Sequence, residues 1–346
     1  MSSRRIESVD ILRGATIAFM VLVNNPGSWK AVYPPLVHST WNGLTPCDCI
    51  FPTFLFVMGV SMYLSLRKGG FTLSWKMLKR TLLLLGIGLV LNYVSQVVYD
   101  NNWSLSSLRI PGVLQRFALC YGITALLVCR LPHRALPWTA GGLLILYGAL
   151  LLVGNGYEYG AGNINARFDR ALLGEGHLYP WDNGVDPEGL LSTLPAIAHT
   201  LVGFLVGGWL SRGDNRRIAV TGVALVLAGA GLSVLLPLNK KIWSPSFVFV
   251  TCGIASLLLA MLYFLVDEKH IWRQSGFFKV FGTNAIFCYV LADVLAWIFD
   301  RSGLHTASRT LLGETPLTSL LYALFCVIVV WLLTLPLYRR KVFLKL

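Results

Sequence analysis

A histidine lies in a short polar connector between two strongly apolar stretches of the sequence. His38 is followed by Trp41, Asn42 and Asp48, which supply an indole, an amide and a carboxylate. An imidazole can accept or donate a proton near neutral pH, so it can act as a general base or as a nucleophile. Asp48 can orient that imidazole or pair with a cation. Because ionisable groups beside a membrane are costly to order, the connector is predicted to be a catalytic site; an ordinary loop histidine is the alternative.

The hydrophobic composition predicts that most of the chain lies in a lipid bilayer. Of its 346 residues, 55% are hydrophobic and 13% are charged, whereas soluble domains carry about 25% charged residues. The net charge is +13, but the basic residues form short clusters between apolar runs, which favours a polytopic membrane protein over a nucleic-acid-binding protein. The seven cysteines fall mostly in apolar runs and lack disulfide or zinc-site spacing, so we expect them to pack as small apolar residues.

Apolar runs of about 20 residues predict an all-α, polytopic membrane protein of about ten transmembrane helices, in a single domain over residues 1–346. The predicted spans are 9–25, 49–66, 76–98, 112–131, 135–154, 191–211, 218–237, 246–266, 280–299 and 316–337. With both termini in the cytoplasm, 19 of the 29 basic residues lie on the cytoplasmic side and 8 on the outer side, as the positive-inside rule requires. The His38 connector then lies outside, together with a Gly-rich, acidic loop at about 155–190, which is either a binding loop or lid or a solvated surface loop.

Further charged residues lie within or beside the predicted spans. Arg13 follows Asp10 by three residues, so it can pair with Asp10 or contact a phosphate. Arg116, about one turn inside the fourth span, requires an anionic partner such as Asp48 or Asp293, or a ligand in a water-filled cavity. Candidate contacts for an amine or for sugar hydroxyls on the outer side are Asp182, Asp186, Glu188, Lys240 and Trp243. The sequence has no Walker loop, dinucleotide fingerprint or zinc-protease motif, so no metal is expected.

Taken together, these segments resemble the heparan-α-glucosaminide N-acetyltransferase family and its bacterial relatives, the NagX-like membrane proteins. The matching stretches are 10–14, 23–24, 38–45 with 48 and 51–52, 109–116, 186–189, and 239–240 with 243–244. They run along most of the chain, and the block that begins at His38 is the most specific of them.

The resemblance implies a transmembrane enzyme that moves the acetyl group of cytosolic acetyl-CoA to the amine of a glucosamine-type sugar on the periplasmic side. The family's catalytic histidine matches His38, and its helper asparagine matches Asn24; Asp48 is added as the partner of the imidazole. The candidates for contacting acetyl-CoA are Arg13, Arg109, Gln115 and Arg116, and Trp41 and Asn42 join the candidates for contacting the sugar. A multi-pass location in the bacterial inner membrane follows, and the family suggests a homodimer.

Two mechanisms and two other functions stay open at this point. His38 can act as the base in a ternary complex, with Asn24 or a backbone N–H stabilising the oxyanion, or it can carry the acetyl group itself. Asn24 can equally be a helix cap. The charges within the spans also suit an amino-sugar transporter, although the sequence shows no matching pair of broken helices. An O-acyltransferase acting on a cell-surface glycan is the third candidate.

Overall fold

The computed structural model describes residues 6–272 and 276–343, which fold into α-helices and short turns without a β-strand in those ranges. Four basic residues used to predict the orientation, Arg4, Arg5, Arg273 and Lys345, lie outside the described residues. The helices are α1 (Glu7–Asn24), α2 (Ile50–Leu66), α3 (Trp75–Asp100), α4 (Val113–Arg130), α5 (Leu136–Val153), α6 (Ile164–Leu173), α7 (Thr193–Leu210), α8 (Asn215–Leu232), α9 (Pro245–Leu262), α10 (Gly276–Thr283), α11 (Ala285–Arg301), α12 (Leu304–Leu312) and α13 (Pro316–Arg339).

Among the described residues, seven helical segments are long and apolar enough to cross a membrane, and α10 with α11 makes an eighth if the two form one broken span. The seven are Cys47–Gly69, Trp75–Asp100, Val113–Arg130, Leu136–Val153, Thr193–Leu210, Pro245–Glu268 and Pro316–Arg339. The chain is therefore a multi-pass membrane protein. The other two predicted spans do form helices, α1 and α8, but charged residues near their amino-terminal ends make both less apolar. A count of ten and a cytoplasmic location for both termini stay predictions.

The span predicted at 280–299 is not one helix, because α10 and α11 bend by 87° at their junction. Next to this bend α10 crosses α1 closely. A Cβ added to Gly282 would lie 1.9 Å from the backbone oxygen of Asp10, so the two backbones meet with no side chain between them. Arg13 Nη1 donates to the Gly282 carbonyl at 3.1 Å, which satisfies an acceptor at the break.

The chain divides into two compact units. The first contains the amino-terminal segment through His38, Thr45–Phe54, and the segment from Leu258 onwards. In this unit α1 packs against α10, α11 and α13. Its core includes Ile17 and Phe281, both almost fully buried.

The second unit contains Ser39–Leu44 and Leu55–Leu257, with α4 packed against α3 and α7, and α5 packed against α7. The predicted outer loop at 155–190 is a folded part of this unit, because it contains α6 and a turn at Glu175–His177. Asn163 starts α6 by accepting a hydrogen bond from the backbone of Asn165 at 2.8 Å. Ala166 and Val185, from the same segment, are buried against α5, which anchors the segment.

Candidate active site

His38 lies between α1 and α2, in the first unit, and is held by the carboxylate of Asp48. Its Nδ1 is 2.8 Å from Asp48 Oδ1. The Asp48 side chain is fully buried, whereas 43% of the imidazole surface is exposed. Because an ionised carboxylate only accepts hydrogen bonds, the pairing assigns the proton to Nδ1 and leaves Nε2 with a lone pair. The imidazole is thus oriented by Asp48 and is partly exposed.

The position of Asp48 follows from the local sequence. Thr45 and Asp48 form the two halves of a capping box at the turn that leads into α2: Thr45 Oγ1 accepts from the backbone N–H of Asp48 at 3.3 Å, and Asp48 Oδ2 accepts from the backbone N–H of Thr45 at 3.0 Å. Oδ1 is then directed to His38. The interaction that starts the helix therefore also fixes the carboxylate that orients the imidazole.

Cys47 lies against the same imidazole, with Sγ 3.2 Å from Nδ1 and 3.6 Å from Nε2. The sequence predicted only an inert apolar cysteine here, so this contact was missed. All seven cysteines are free thiols in the structure. Cys47 is buried, and with Val23 and Ile50 it forms a small apolar cluster behind the imidazole.

Asn24, the predicted helper, is the last residue of α1 and is exposed. Its side chain makes no hydrogen bond to other residues in the described part of the chain. The preceding Val23 packs against Cys47 in the cluster just named, so the end of α1 adjoins the turn that contains Asp48. The role of Asn24 in stabilising an oxyanion stays a prediction.

Arg13, a predicted contact for acetyl-CoA, pairs with Asp10 at 3.1 Å in addition to its bond with the Gly282 carbonyl. The structural ion pair that the sequence offered as one alternative is therefore formed. Arg13 stays partly exposed, with 23% of its side-chain surface accessible, so a phosphate contact remains a prediction.

In the second unit, Arg109 binds two carboxylates that the sequence analysis had assigned to the sugar. Its Nη2 lies 2.7 Å from Asp186 Oδ1 and 2.7 Å from Glu188 Oε2, and its Nε lies 3.1 Å from Asp186 Oδ2. Burial opposes the charge of Arg109, but both carboxylates raise the pKa of its guanidinium above the ordinary value. Burial also opposes the charge of Glu188, yet Arg109 and then Lys240 lower the pKa of its carboxyl. These charges neutralise one another within the fold.

Arg116 has neutral partners within the protein rather than Asp48 or Asp293, the carboxylates that were one of the two alternatives offered by the sequence. Its Nη2 donates to the Gly189 carbonyl at 2.9 Å and to the Ser192 hydroxyl. Its guanidinium lies 5.2 Å from the centre of the Trp243 ring, a cation–π arrangement. No carboxylate lies within salt-bridge distance of Arg116 in the described ranges.

Two other predicted ligand contacts are interior residues. Trp243 is fully buried beside Arg116 and Phe247, so its indole offers no surface to a sugar in this structure. Gln115, predicted to contact acetyl-CoA, is also buried, with its amide against Gly88 and Gly112. The sequence analysis assigned Trp243 and Gln115 to ligands because polar residues lie next to them in the chain. Whether these two side chains are buried depends on how α3, α4 and α9 pack, and the sequence does not show that packing.

Asp169, in α6, was missed by the sequence analysis. Its Oδ1 accepts from the backbone N–H groups of Leu190 and Leu191 at 2.9 and 3.2 Å. Its Oδ2 is buried without a hydrogen-bond partner among the described residues. Burial raises the pKa of Asp169 to about 6, although the two backbone donors favour the charged form. The residue joins α6 to the start of α7.

Three other predicted sugar contacts, Trp41, Asn42 and Asp182, form contacts within the second unit, whereas Lys240 acts on Glu188. The Trp41 indole donates to the Tyr157 carbonyl at 2.8 Å. Asn42 Oδ1 accepts from Asn239 Nδ2 at 3.1 Å, and Asp182 pairs with the Lys241 ammonium. Tyr159, which the sequence analysis did not single out, lies with its ring centre 4.8 Å from that of Trp41.

The fold and the site define a class: a multi-pass membrane protein with a partly exposed imidazole that is oriented by a buried carboxylate. The family model described as the catalytic region of heparan-alpha-glucosaminide N-acetyltransferase matches residues 5–236, and the chain belongs to this family. It is 28% identical to the human heparan-alpha-glucosaminide N-acetyltransferase over 99% of this chain and 60% of the human protein. It is 30% identical to the mouse protein over 85% of this chain and 54% of that protein. The chain thus spans little more than half the length of these relatives.

Proposed function

We propose that this protein is a transmembrane acetyltransferase that moves an acetyl group from cytosolic acetyl-CoA to the amine of a glucosamine-type sugar on the periplasmic side of a bacterial inner membrane. The observation that supports it best is the pair formed by His38 and Asp48, with Nδ1 and Oδ1 2.8 Å apart. A buried carboxylate that orients a partly exposed imidazole is an arrangement suited to removing a proton from an amine. Membership of the family supplies the acyl group and the class of acceptor.

In the direct mechanism, Nε2 of His38 removes a proton from the sugar amine as the amine nitrogen attacks the thioester carbonyl. The new bond joins nitrogen to the acetyl carbon, the bond between that carbon and the coenzyme sulfur breaks, and the released thiolate takes the proton from the His38 imidazolium, which regenerates the neutral base. Asp48 stabilises the imidazolium that forms. Asn24, at the end of α1, is our candidate for donating a hydrogen bond to the oxyanion.

In the two-step mechanism, Nε2 attacks the thioester itself and releases the coenzyme thiol, and the sugar amine then takes the acetyl group from the imidazole. Rapid quench of the protein with labelled acetyl-CoA in the absence of sugar separates the two routes. A labelled acetyl group on His38 supports the second route, and a requirement for both substrates before any transfer supports the first.

The phosphates of acetyl-CoA require cations that are not already paired. Arg109 does not fit this role, because two carboxylates occupy its guanidinium. The connector between α2 and α3, together with the start of α3, fits better, because Lys68 in the connector and Lys76 and Lys79 in α3 are exposed and a cytoplasmic location is predicted for this region. We place the coenzyme head group at this connector.

The function is tested with purified protein, labelled acetyl-CoA and glucosamine. We expect transfer by the wild type and a fall in kcat of about 10²–10⁴ for His38→Ala, the usual loss when a general base is removed. The matched control is His270→Ala, which removes an exposed histidine far along the chain. No transfer by the wild type, or full activity of His38→Ala, would contradict the proposal. N-acetylglucosamine serves as a second acceptor, because only an O-acyltransferase modifies a sugar whose amine is blocked.

Asp48→Asn gives a finer test of the same pair. Asparagine keeps an oxygen for Thr45, but its amide then faces Nδ1, which favours the opposite imidazole tautomer. We expect kcat to fall while the KM for glucosamine stays within about threefold, since the pair acts on the transition state. An unchanged kcat would show that the carboxylate serves only the fold.

The break between α10 and α11 favours a second candidate function, transport of the amino sugar or its acetylated product. Discontinuous helices are typical of transporter binding sites. Vesicles that contain the protein but no acetyl-CoA decide between the two: a transporter accumulates labelled glucosamine in them, whereas the acetyltransferase does not.

A further inference from the structure

An aromatic pair in the second unit forms a partly exposed surface. The ring centres of Trp41 and Tyr159 are 4.8 Å apart, and the ring planes are inclined by 44°. Tyr159 is 44% exposed, and Trp41 is partly buried against the cluster that contains Tyr147 and Leu151. Trp41 is thus anchored in the core, and Tyr159 is the more exposed of the two residues.

Hydrogen bonds and charges fix both rings in place. The Trp41 indole N–H is used by the Tyr157 carbonyl at 2.8 Å. Lys241, paired with Asp182, lies with Nζ 5.4 Å from the centre of the Tyr159 ring. Asn183 donates to the Tyr159 carbonyl at 3.3 Å. Rings whose orientation is fixed before binding lose little conformational entropy when a ligand stacks on them.

Asn42, the residue that follows Trp41 in the sequence, supplies a polar side chain next to the aromatic pair. Asn42 is exposed, and its Oδ1 accepts from Asn239, which is fully buried. With the oxygen engaged, the amide nitrogen of Asn42 is the part that can donate to a ligand. An aromatic surface with a single oriented amide at its edge is the usual composition of a small-molecule site: apolar walls with a few polar groups.

We propose that Tyr159 and Trp41 form the surface on which the pyranose ring of the acceptor sugar stacks, and that Asn42 donates to a ring hydroxyl. A pyranose has one face of C–H groups and a rim of hydroxyls, so it matches an apolar ring next to an amide donor. The inference rests on the proposed function for the identity of the acceptor, and it adds Tyr159 as a residue that binds the sugar. Stacking contacts the ring and not the amine, so glucosamine and N-acetylglucosamine should bind alike.

The test is saturation-transfer difference NMR of protein in detergent micelles without acetyl-CoA, with glucosamine and then N-acetylglucosamine as the probe. We expect the strongest saturation on the ring protons of one face. Tyr159→Ala should weaken binding of both sugars about tenfold, and Tyr159→Phe should bind within about twofold of wild type, because the hydroxyl is not needed for stacking. Tyr99→Ala, which removes an exposed tyrosine on α3, is the matched control.

Kinetics and thermal unfolding complete the experiment. We expect Tyr159→Ala to raise the KM for glucosamine about tenfold while kcat, the KM for acetyl-CoA and the Tm stay near wild type, which is the pattern of lost uniform binding. Unchanged sugar binding by Tyr159→Ala would overturn the inference, as would a fall in Tm that accounts for the loss. If the wild type binds sugar through Tyr159 but transfers no acetyl group, the proposed function fails and this inference stands. If transfer occurs and Tyr159→Ala keeps the wild-type KM, the inference alone fails.

Discussion

At the scale of single residues, the orientation of His38 depends on a very short stretch of chain. Asp48 is ten residues away in sequence and is fixed by Thr45, three residues before it. Local spacing was therefore enough to predict the pair. The opposite holds for Arg109, whose partner Asp186 is 77 residues away. Its ion pairs arise only when α4 and the segment before α7 come together, so the sequence analysis assigned the three charges to ligands.

Asp169 supplies a prediction about pH. Burial raises the pKa of its carboxyl from the ordinary 3.8 to about 6 in the folded protein. The folded state therefore holds this proton more tightly than the unfolded state, and stability falls as the pH rises from about 4 to about 6. Above pH 6 the buried charge of Asp169 lowers the free energy of unfolding by up to about 3 kcal/mol.

We expect Asp169→Asn to remove this decline and to be at least as stable as wild type at pH 7.5, because the amide oxygen still accepts from Leu190 and Leu191. Thermal unfolding in detergent between pH 4 and 8 measures the effect. Asp100→Asn, which changes an exposed carboxylate at the end of α3, should leave the pH profile as in wild type. Parallel Tm curves for wild type and Asp169→Asn would contradict the argument.

At the scale of helices, length and apolarity predicted most of the elements, because each span needs about 20 apolar residues to cross the bilayer. The break between α10 and α11 was not predictable in this way. Beside the break, Gly282 contacts Arg13 of α1, which is 269 residues away along the chain, and the apolar pattern carries no information about a contact at that separation. The sequence also did not predict that the 155–190 segment folds around α6, because the buried residues of this segment pack against α5.

The crossing of α1 and α10 is tested by Gly282→Ala. The added Cβ would lie 1.9 Å from the Asp10 backbone oxygen, so the helices must move apart and the contact between Arg13 and the Gly282 carbonyl is strained. We expect a loss of about 1–3 kcal/mol, as for other overpacked contacts. Gly276→Ala, at the start of the same helix and with open space around the new Cβ, is the matched control. Equal Tm values for the two variants would show that the crossing is looser than the distances indicate.

At the scale of the whole molecule, the distribution of basic residues is the main evidence for orientation. It predicts that the connector between α1 and α2 lies outside and that the connector between α2 and α3 lies in the cytoplasm. The side from which each substrate reaches the protein depends on this orientation. Coenzyme A carries several phosphate charges and does not cross hydrocarbon, so its head group must bind on the cytoplasmic side in the proposed reaction.

Cysteine labelling in intact bacteria tests the orientation. Trp29→Cys places a thiol in the outer connector, where Trp29 is 69% exposed, and Thr72→Cys places one in the exposed α2–α3 connector. A membrane-impermeant maleimide should label Trp29→Cys in intact cells and Thr72→Cys only after permeabilisation. The parent protein, with its seven native cysteines, gives the background. The reverse pattern would place His38 on the cytoplasmic face and remove the proposed route of transfer.

The capping box at Thr45 has a further consequence. The same few hydrogen bonds begin a membrane helix and keep the imidazole in its working tautomer, so fraying of that first turn would uncouple the base without unfolding the rest of the protein. Gentle warming, or a detergent that competes for the helix end, should therefore inactivate the protein reversibly at temperatures where its bulk helical signal is still intact.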